Sequence, residues 1–142
     1  RNTICCLLRL GTSMATPIVT GSAMIVRQYF TDGFYPDGFR DGSSNEHTNP
    51  SGALIKAVLL IGGRELVTGK YYDSNQGFGA VQLTHSLPLA NTEPSYNQKV
   101  FDRVPLFENE SDTYAIEIDK SGCTYDEDLR VMMTYMDEGN GG

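Results

Sequence analysis

Two kinds of hydrophobic patterning divide this chain. The first half carries blocks spaced for helices. In residues 13–30, apolar side chains fall on every face: Ile18, Val19, Ala23, Met24, Ile25 and Val26. A helix that is apolar all round is one that its neighbours enclose, so this segment is expected to be buried on all sides in the intact protein and partly bare in these 142 residues. Pro17 suits the helix only if it lies in the first turn, because proline has no N–H to donate. Residues 50–61, "PSGALIKAVLLI", place Leu54, Ala57, Val58 and Ile61 at i, i+3, i+4 and i+7, one stripe of a second helix. Asn49 is its expected N-cap, Pro50 suits the first helical position, and Gly62-Gly63 closes it.

After residue 89 the period changes. "ANTEPSYNQ" reads as a linker. Short runs follow at Val104–Phe107, Tyr114–Ile118 and Leu129–Met136. In the second, Tyr114, Ile116 and Ile118 share one face; in the third, Leu129, Val131, Met133 and Tyr135 do. Alternation of period two with β-formers predicts half-buried strands. Three strands are few for a sandwich, so these read as the start of an all-β module.

Charge sharpens the division. Residues 1–90 hold seven Lys/Arg and six Asp/Glu, a net +1; residues 91–142 hold four and twelve, a net −8. The expected domains are therefore 1–90 and 91–142. A chain of net charge −7 is a poor partner for nucleic acid or an anionic membrane surface. The 17 uncharged residues from Leu10 to Val26 are short for a membrane span and are broken by Pro17 and Gly21, so a core helix is expected and no membrane insertion.

Candidate chemistry is sparse. Cys5, Cys6 and Cys123 form neither a disulfide framework nor a C-x-x-C zinc site. A nucleophilic role for Cys123 would need a histidine beside it, and none is near in sequence. The loop 31–48, "TDGFYPDGFRDGSSNEHT", has carboxylates and carbonyls that calcium could use, but it lacks the D-x-[DN]-x-[DN]-G pattern. Turns made by Asp-Gly pairs account for it, and no cofactor is predicted. Gly63–Lys70 fails as a phosphate loop: Arg64 stands where a glycine is required and Tyr71 where Ser or Thr must hold magnesium.

Ser13 stands apart. A serine before a helix is ordinarily an N-cap. Here it lies inside Gly11-Thr12-Ser13-Met14-Ala15-Thr16-Pro17-Ile18-Val19-Thr20-Gly21, which resembles the nucleophile signature of the subtilisin-like serine proteases, G-T-S-M-A-[TS]-P-x-V-[AT]-G. "NPSGALIKAVLLIGG" resembles the helix that follows the nucleophile helix in that family. "GFGAVQLTHSLPL" resembles its G-[YF]-G-x-V-x-L closing segment, and "DLRVMMTYMD" a strand of the β-sandwich that some members carry. The resemblance implies an α/β fold: a subtilisin-like catalytic-domain fragment over 1–90, mainly its C-terminal helices, followed by the start of a jelly-roll-like β-sandwich over 91–142. It implies a serine endopeptidase with Ser13 as catalytic nucleophile, a protein or peptide substrate, and routing through the secretory pathway. The sequon Asn109-Glu110-Ser111 suits that location.

Family order along the chain is Asp, His, Ser. Residues 1–12 contain neither Asp nor His, and Leu10 replaces the serine that usually precedes the glycine. His47 and His85 lie downstream and read as loop and helix-cap residues. These 142 residues alone are therefore expected to be inactive. The alternative is a remnant of a protease that binds other proteins through its acidic β half.

Overall fold

The computed structural model describes residues 11–40, 48–67, 72, 74–92, 97–118 and 129–136. It contains two helices, α1 (Thr12–Thr31) and α2 (Gly52–Ile61), and a 3₁₀ turn, Leu83–His85. Cys5, Cys6, His47 and Cys123 lie outside the described residues.

Helix α1 forms from a sequence that is locally mediocre. Gly21 and β-branched Thr, Val and Ile weaken it, and Pro17 is its sixth residue rather than a first-turn one. Hydroxyls along the polar positions bond back to the carbonyl four residues earlier, an arrangement that bends a helix and does not strengthen it. The Thr16 Oγ1 donates to the Thr12 carbonyl at 3.0 Å, Thr20 to Thr16 at 3.0 Å, and Ser22 to Ile18 at 2.9 Å. Its C-terminal end is held by packing: Val26, Tyr29 and Phe30 are buried. The Tyr29 and Phe30 rings meet edge-on at 5.3 Å, Tyr29 stacks on Phe34 at 5.7 Å, and Phe30 lies 5.6 Å from Tyr35.

Helix α2 begins at Ser51 rather than at the expected Asn49. The Ser51 Oγ accepts from the Leu54 N–H at 3.0 Å, which satisfies one of the unpaired amides of the first turn. Leu54 and Val58 are buried against Val26, Tyr29 and Phe30, with Ile55 and Leu59 packed beside them. The buried face is thus turned from the expected stripe, with Ala57 and Ile61 only half-buried. Gly62 and Gly63 close the helix as expected. Their reason is close approach: a Cβ on Gly63 would overlap the Phe78 carbonyl, and one on Gly62 would lie 2.6 Å from the Ser86 Oγ. Neighbouring Arg64 and Ala80 exchange two backbone hydrogen bonds, of 2.8 and 2.9 Å, in an isolated antiparallel bridge.

Later segments tie back to this helix pair. Leu87 completes the core, and the Tyr29 hydroxyl donates to the Pro88 carbonyl at 2.8 Å. The Val100 N–H donates to the Tyr35 hydroxyl at 3.2 Å. Asp102 receives the Ser51 N–H at 2.9 Å on one oxygen and the Ser51 hydroxyl at 2.5 Å on the other. A carboxylate at a helix N-terminus is favoured by the unpaired amides and the dipole there. Arg103 contacts Asp102 at 3.3 Å and donates to the Asn49 carbonyl at 2.7 Å.

One expectation is overturned. The α/β architecture with a β-sandwich over 91–142 is not found: among the described residues there is no strand and no sheet. Val104–Phe107, Tyr114–Ile118 and Leu129–Met136 lack strand pairing, and Val104, Leu106, Phe107, Tyr114, Ile116, Ile118, Val131 and Met133 are exposed. An alternating segment becomes a strand only when a neighbour completes its hydrogen-bond ladder and a second layer covers its apolar face. Neither is present. One residue of the last run does anchor: the Thr134 hydroxyl donates to the Ala53 carbonyl at 2.5 Å. Helix α1 is partly bare in these 142 residues, as expected. Met14, Ile18, Val19, Met24 and Ile25 are exposed, and only its last turns are covered.

This division of α1 has a measurable consequence. Phe30→Ala removes a ring that is 1% exposed and should cost about 3–5 kcal/mol, lowering the urea midpoint of unfolding. Met24→Ala, at a side chain 70% exposed, should change stability by no more than about 0.5 kcal/mol. Asp102→Ala should cost about 1–3 kcal/mol, because it strips two acceptors from the Ser51 end of α2.

Candidate functional site

Ser13 is the second residue of α1 and is exposed. At that position its N–H has no acceptor within the helix, and it lies at the positive end of the helix dipole. The preceding Gly11 is the N-cap. It offers no side-chain acceptor; its carbonyl instead receives the Met14 and Ala15 N–H groups at 3.0 and 3.3 Å. Its φ of 157° and ψ of 149° belong to a region that glycine alone occupies readily. A Cβ there would stand 3.7 Å from the Ser13 Oγ. Glycine therefore keeps open the space beside the hydroxyl and permits the abrupt entry into the helix.

Pro17 shapes the other side of the first turn. It has no N–H, so the Ser13 carbonyl cannot receive the i+4 hydrogen bond that helix geometry would supply. Ser13 thus sits in a turn with fewer internal constraints than an ordinary helix start. The hydroxyls of Thr16 and Thr20 bond back along the helix to the Thr12 and Thr16 carbonyls.

Among the described residues no hydrogen bond joins a histidine to Ser13. The 85 position is occupied with its own turn: His85 Nε2 and Gln82 Nε2 are 2.8 Å apart. His47 falls outside the described residues. Ser86, next to His85 in sequence, is no rival nucleophile, since it is 2% exposed and out of reach of a substrate. The loop after α1 spends a carboxylate locally. Asp32 accepts from Gln28 at 3.2 Å and lies 3.8 Å from Arg40. Among the described residues no group of three His, Cys, Asp or Glu is arranged to hold a metal ion. Nor, among them, is any helix long and apolar enough to cross a membrane.

One arrangement that sequence patterning does not show is the shallow groove between α2 and residues 132–135. Lys56, Leu60, Phe78, Met132, Met133 and Tyr135 line it, with a volume of about 430 Å³. It contains no nucleophile beside a base. Its lining residues are far apart in the chain, and no local spacing brings them together.

Comparison with known proteins defines first a class. The chain is similar to proteins named serine protease/ABC transporter B family, which relates it to a protease family in a broad sense. In particular, it is 36% identical over 101 residues to the tagD protein of Dictyostelium discoideum, covering 71% of this chain and 4% of that protein. It is 33% identical over 104 residues to tagB of the same organism, covering 60% of this chain and 5% of the relative. The tagA protein is 32% identical over 83 residues, covering 58% and 5%. The chain thus spans about a twentieth of the length of these relatives. No family model and no solved structure matches it.

The geometry of the first turn generates a prediction that needs no enzymatic activity. Pro17→Ala restores a donor to the Ser13 carbonyl and removes the ring from the helix interior. It should stabilise α1 by up to about 3 kcal/mol. Circular dichroism should show higher helix content and a higher melting temperature than for the original chain. A lower melting temperature would mean that the proline is favourable where it stands.

Proposed function

We propose that this chain carries the nucleophile segment of a subtilisin-like serine endopeptidase, with Ser13 as the attacking residue. The observation that carries the reading is the eleven-residue signature, Gly11–Gly21, with its serine exposed at the N-terminal turn of α1. The relatives whose names include serine protease support the same class.

In this reading a histidine takes the Ser13 proton as Oγ attacks the scissile carbonyl carbon. The carbonyl oxygen gains a negative charge, and the Ser13 N–H, unpaired within the helix, is suited to receive it. Collapse expels the amine, which takes the proton from the histidine, and leaves an acyl group on Ser13. Water then releases the acyl group by the reverse sequence. The histidine and its orienting aspartate come from polypeptide outside these 142 residues, which agrees with the family order and with the small share of the relatives' length that the chain spans. The substrate is a protein or peptide, and the intact protein is routed through the secretory pathway.

A serine without a base remains an ordinary alcohol. The 142-residue chain should therefore react with a fluorophosphonate probe no faster than its Ser13→Ala variant. The intact parent protein should label rapidly, and Ser13→Ala in that parent should abolish labelling. Equal labelling of parent and variant would overturn the assignment of Ser13. Rapid, Ser13-dependent labelling of the short chain would overturn the assignment of the base to polypeptide outside it.

A further inference from the structure

The segment 107–111, Phe107-Glu108-Asn109-Glu110-Ser111, combines three features that the protease reading does not use. It contains the chain's sole Asn-x-Ser/Thr triplet without proline in the middle. It forms a tight turn: the Glu110 N–H donates to the Phe107 carbonyl at 3.1 Å, and the Glu110 carboxylate accepts from the Phe107 N–H at 3.3 Å. Within that turn Asn109 has φ of 64°, the left-handed conformation that asparagine tolerates better than most residues. Asn109, Glu110 and Ser111 are all exposed. Among the described residues, the Asn109 side-chain amide has no hydrogen-bond partner. Phe107, two positions before the asparagine, is 68% exposed, although a ring of that size ordinarily gains from leaving water.

We propose that Asn109 is an N-glycosylation acceptor and that Phe107 is the surface on which the first sugar of the glycan rests. The donor is a lipid-pyrophosphate-linked oligosaccharide beginning in N-acetylglucosamine. The Asn109 Nδ2 attacks the anomeric carbon of that sugar. A nitrogen–carbon bond forms, the carbon–oxygen bond to the lipid pyrophosphate breaks, the pyrophosphate leaves with the electron pair, and the proton released by the amide passes to solvent water. No oxidant or reductant is needed. The Ser111 hydroxyl is the recognition group at the third position. The tight turn leaves the acceptor exposed to solvent. The C–H-rich face of a pyranose is apolar and slightly electropositive, so it suits the negative face of an aromatic ring. A glycan seated on Phe107 would remove an exposed aromatic patch from water. This inference rests on the secretory routing proposed above, because the transfer takes place in the secretory lumen.

The test separates acceptor chemistry from routing. The 142-residue chain is expressed behind a heterologous secretion signal in a eukaryotic host, and the intact parent behind its own N-terminus. Each is treated with an amidase that cleaves N-glycans, and its mobility and mass are compared before and after. In both, the peptide that contains Asn109 should lose one glycan mass, and Asn109→Gln and Ser111→Ala should each abolish that loss completely. Phe107→Ala should lower occupancy at Asn109 at least twofold in the directed chain. No glycan on the directed chain would overturn the acceptor assignment. A glycan on the directed chain but none on the parent would overturn the secretory routing and leave the acceptor chemistry standing. Unchanged occupancy in Phe107→Ala would overturn the role of the ring.

Discussion

Burial of Phe30 and Val26 between the end of α1 and the Leu54–Val58 face of α2 is the interaction on which the other described contacts depend. The two helices are separated by a loop of polar and turn-forming residues, and neither is stable by local propensity. Aromatic rings do much of the joining. Phe30 meets Tyr29 edge-on and Tyr35 at a tilt, so one buried ring links the helix to the turn that follows it. Tyr29 and Tyr35 then turn their hydroxyls outward to the Pro88 carbonyl and the Val100 N–H. Each ring buries apolar area at one end and satisfies a polar group of a distant segment at the other. Residues 88, 100 and 102 are thus tied to the helix pair and the turn after α1 by side chains of Tyr29, Tyr35 and Ser51.

The same constraint explains what the rest of the chain does not do. A small core covers a small area, so the N-terminal turns of α1 extend past it and Met14, Ile18, Met24 and Ile25 face solvent. That leaves Ser13 exposed at a helix start with glycine behind it and proline ahead. The turn is open to a reacting partner and holds no base of its own. Reactivity of a serine is a property of the group that takes its proton, so the geometry of α1 supplies an exposed hydroxyl and an N–H unpaired within the helix, and no activation of either. The contrast with Ser51 is instructive. It too stands at a helix N-terminus, but it caps the first turn and is held by Asp102, which leaves its hydroxyl committed to structure.

Sequence patterning located both helices to within two residues at each end, because their signals are local. Apolar spacing, the Gly-Gly close and the glycine before Ser13 all act within one or two turns of chain. The cap of α2 was displaced to Ser51 because a second contact, from Asp102, rewards that residue over Asn49. Alternation in Tyr114–Ile118 and Leu129–Met136 is equally local, yet it did not produce strands. Side-chain alternation states which face a strand would bury; it does not provide the partner whose amides complete the ladder.

By itself, then, the order of residues determined where this chain coils into helices, where it turns, and that the run Gly11–Gly21 with its serine opens α1. Those properties arise from interactions between residues about four apart. Tertiary structure alone decided which side of α1 is covered, that Ser51 rather than Asn49 caps α2, and that the alternating segments remain unpaired. It also decided that Asp102 meets Ser51 across 51 positions and Thr134 meets Ala53 across 81. Such contacts depend on the whole path of the chain between them, and no short window of sequence contains that path.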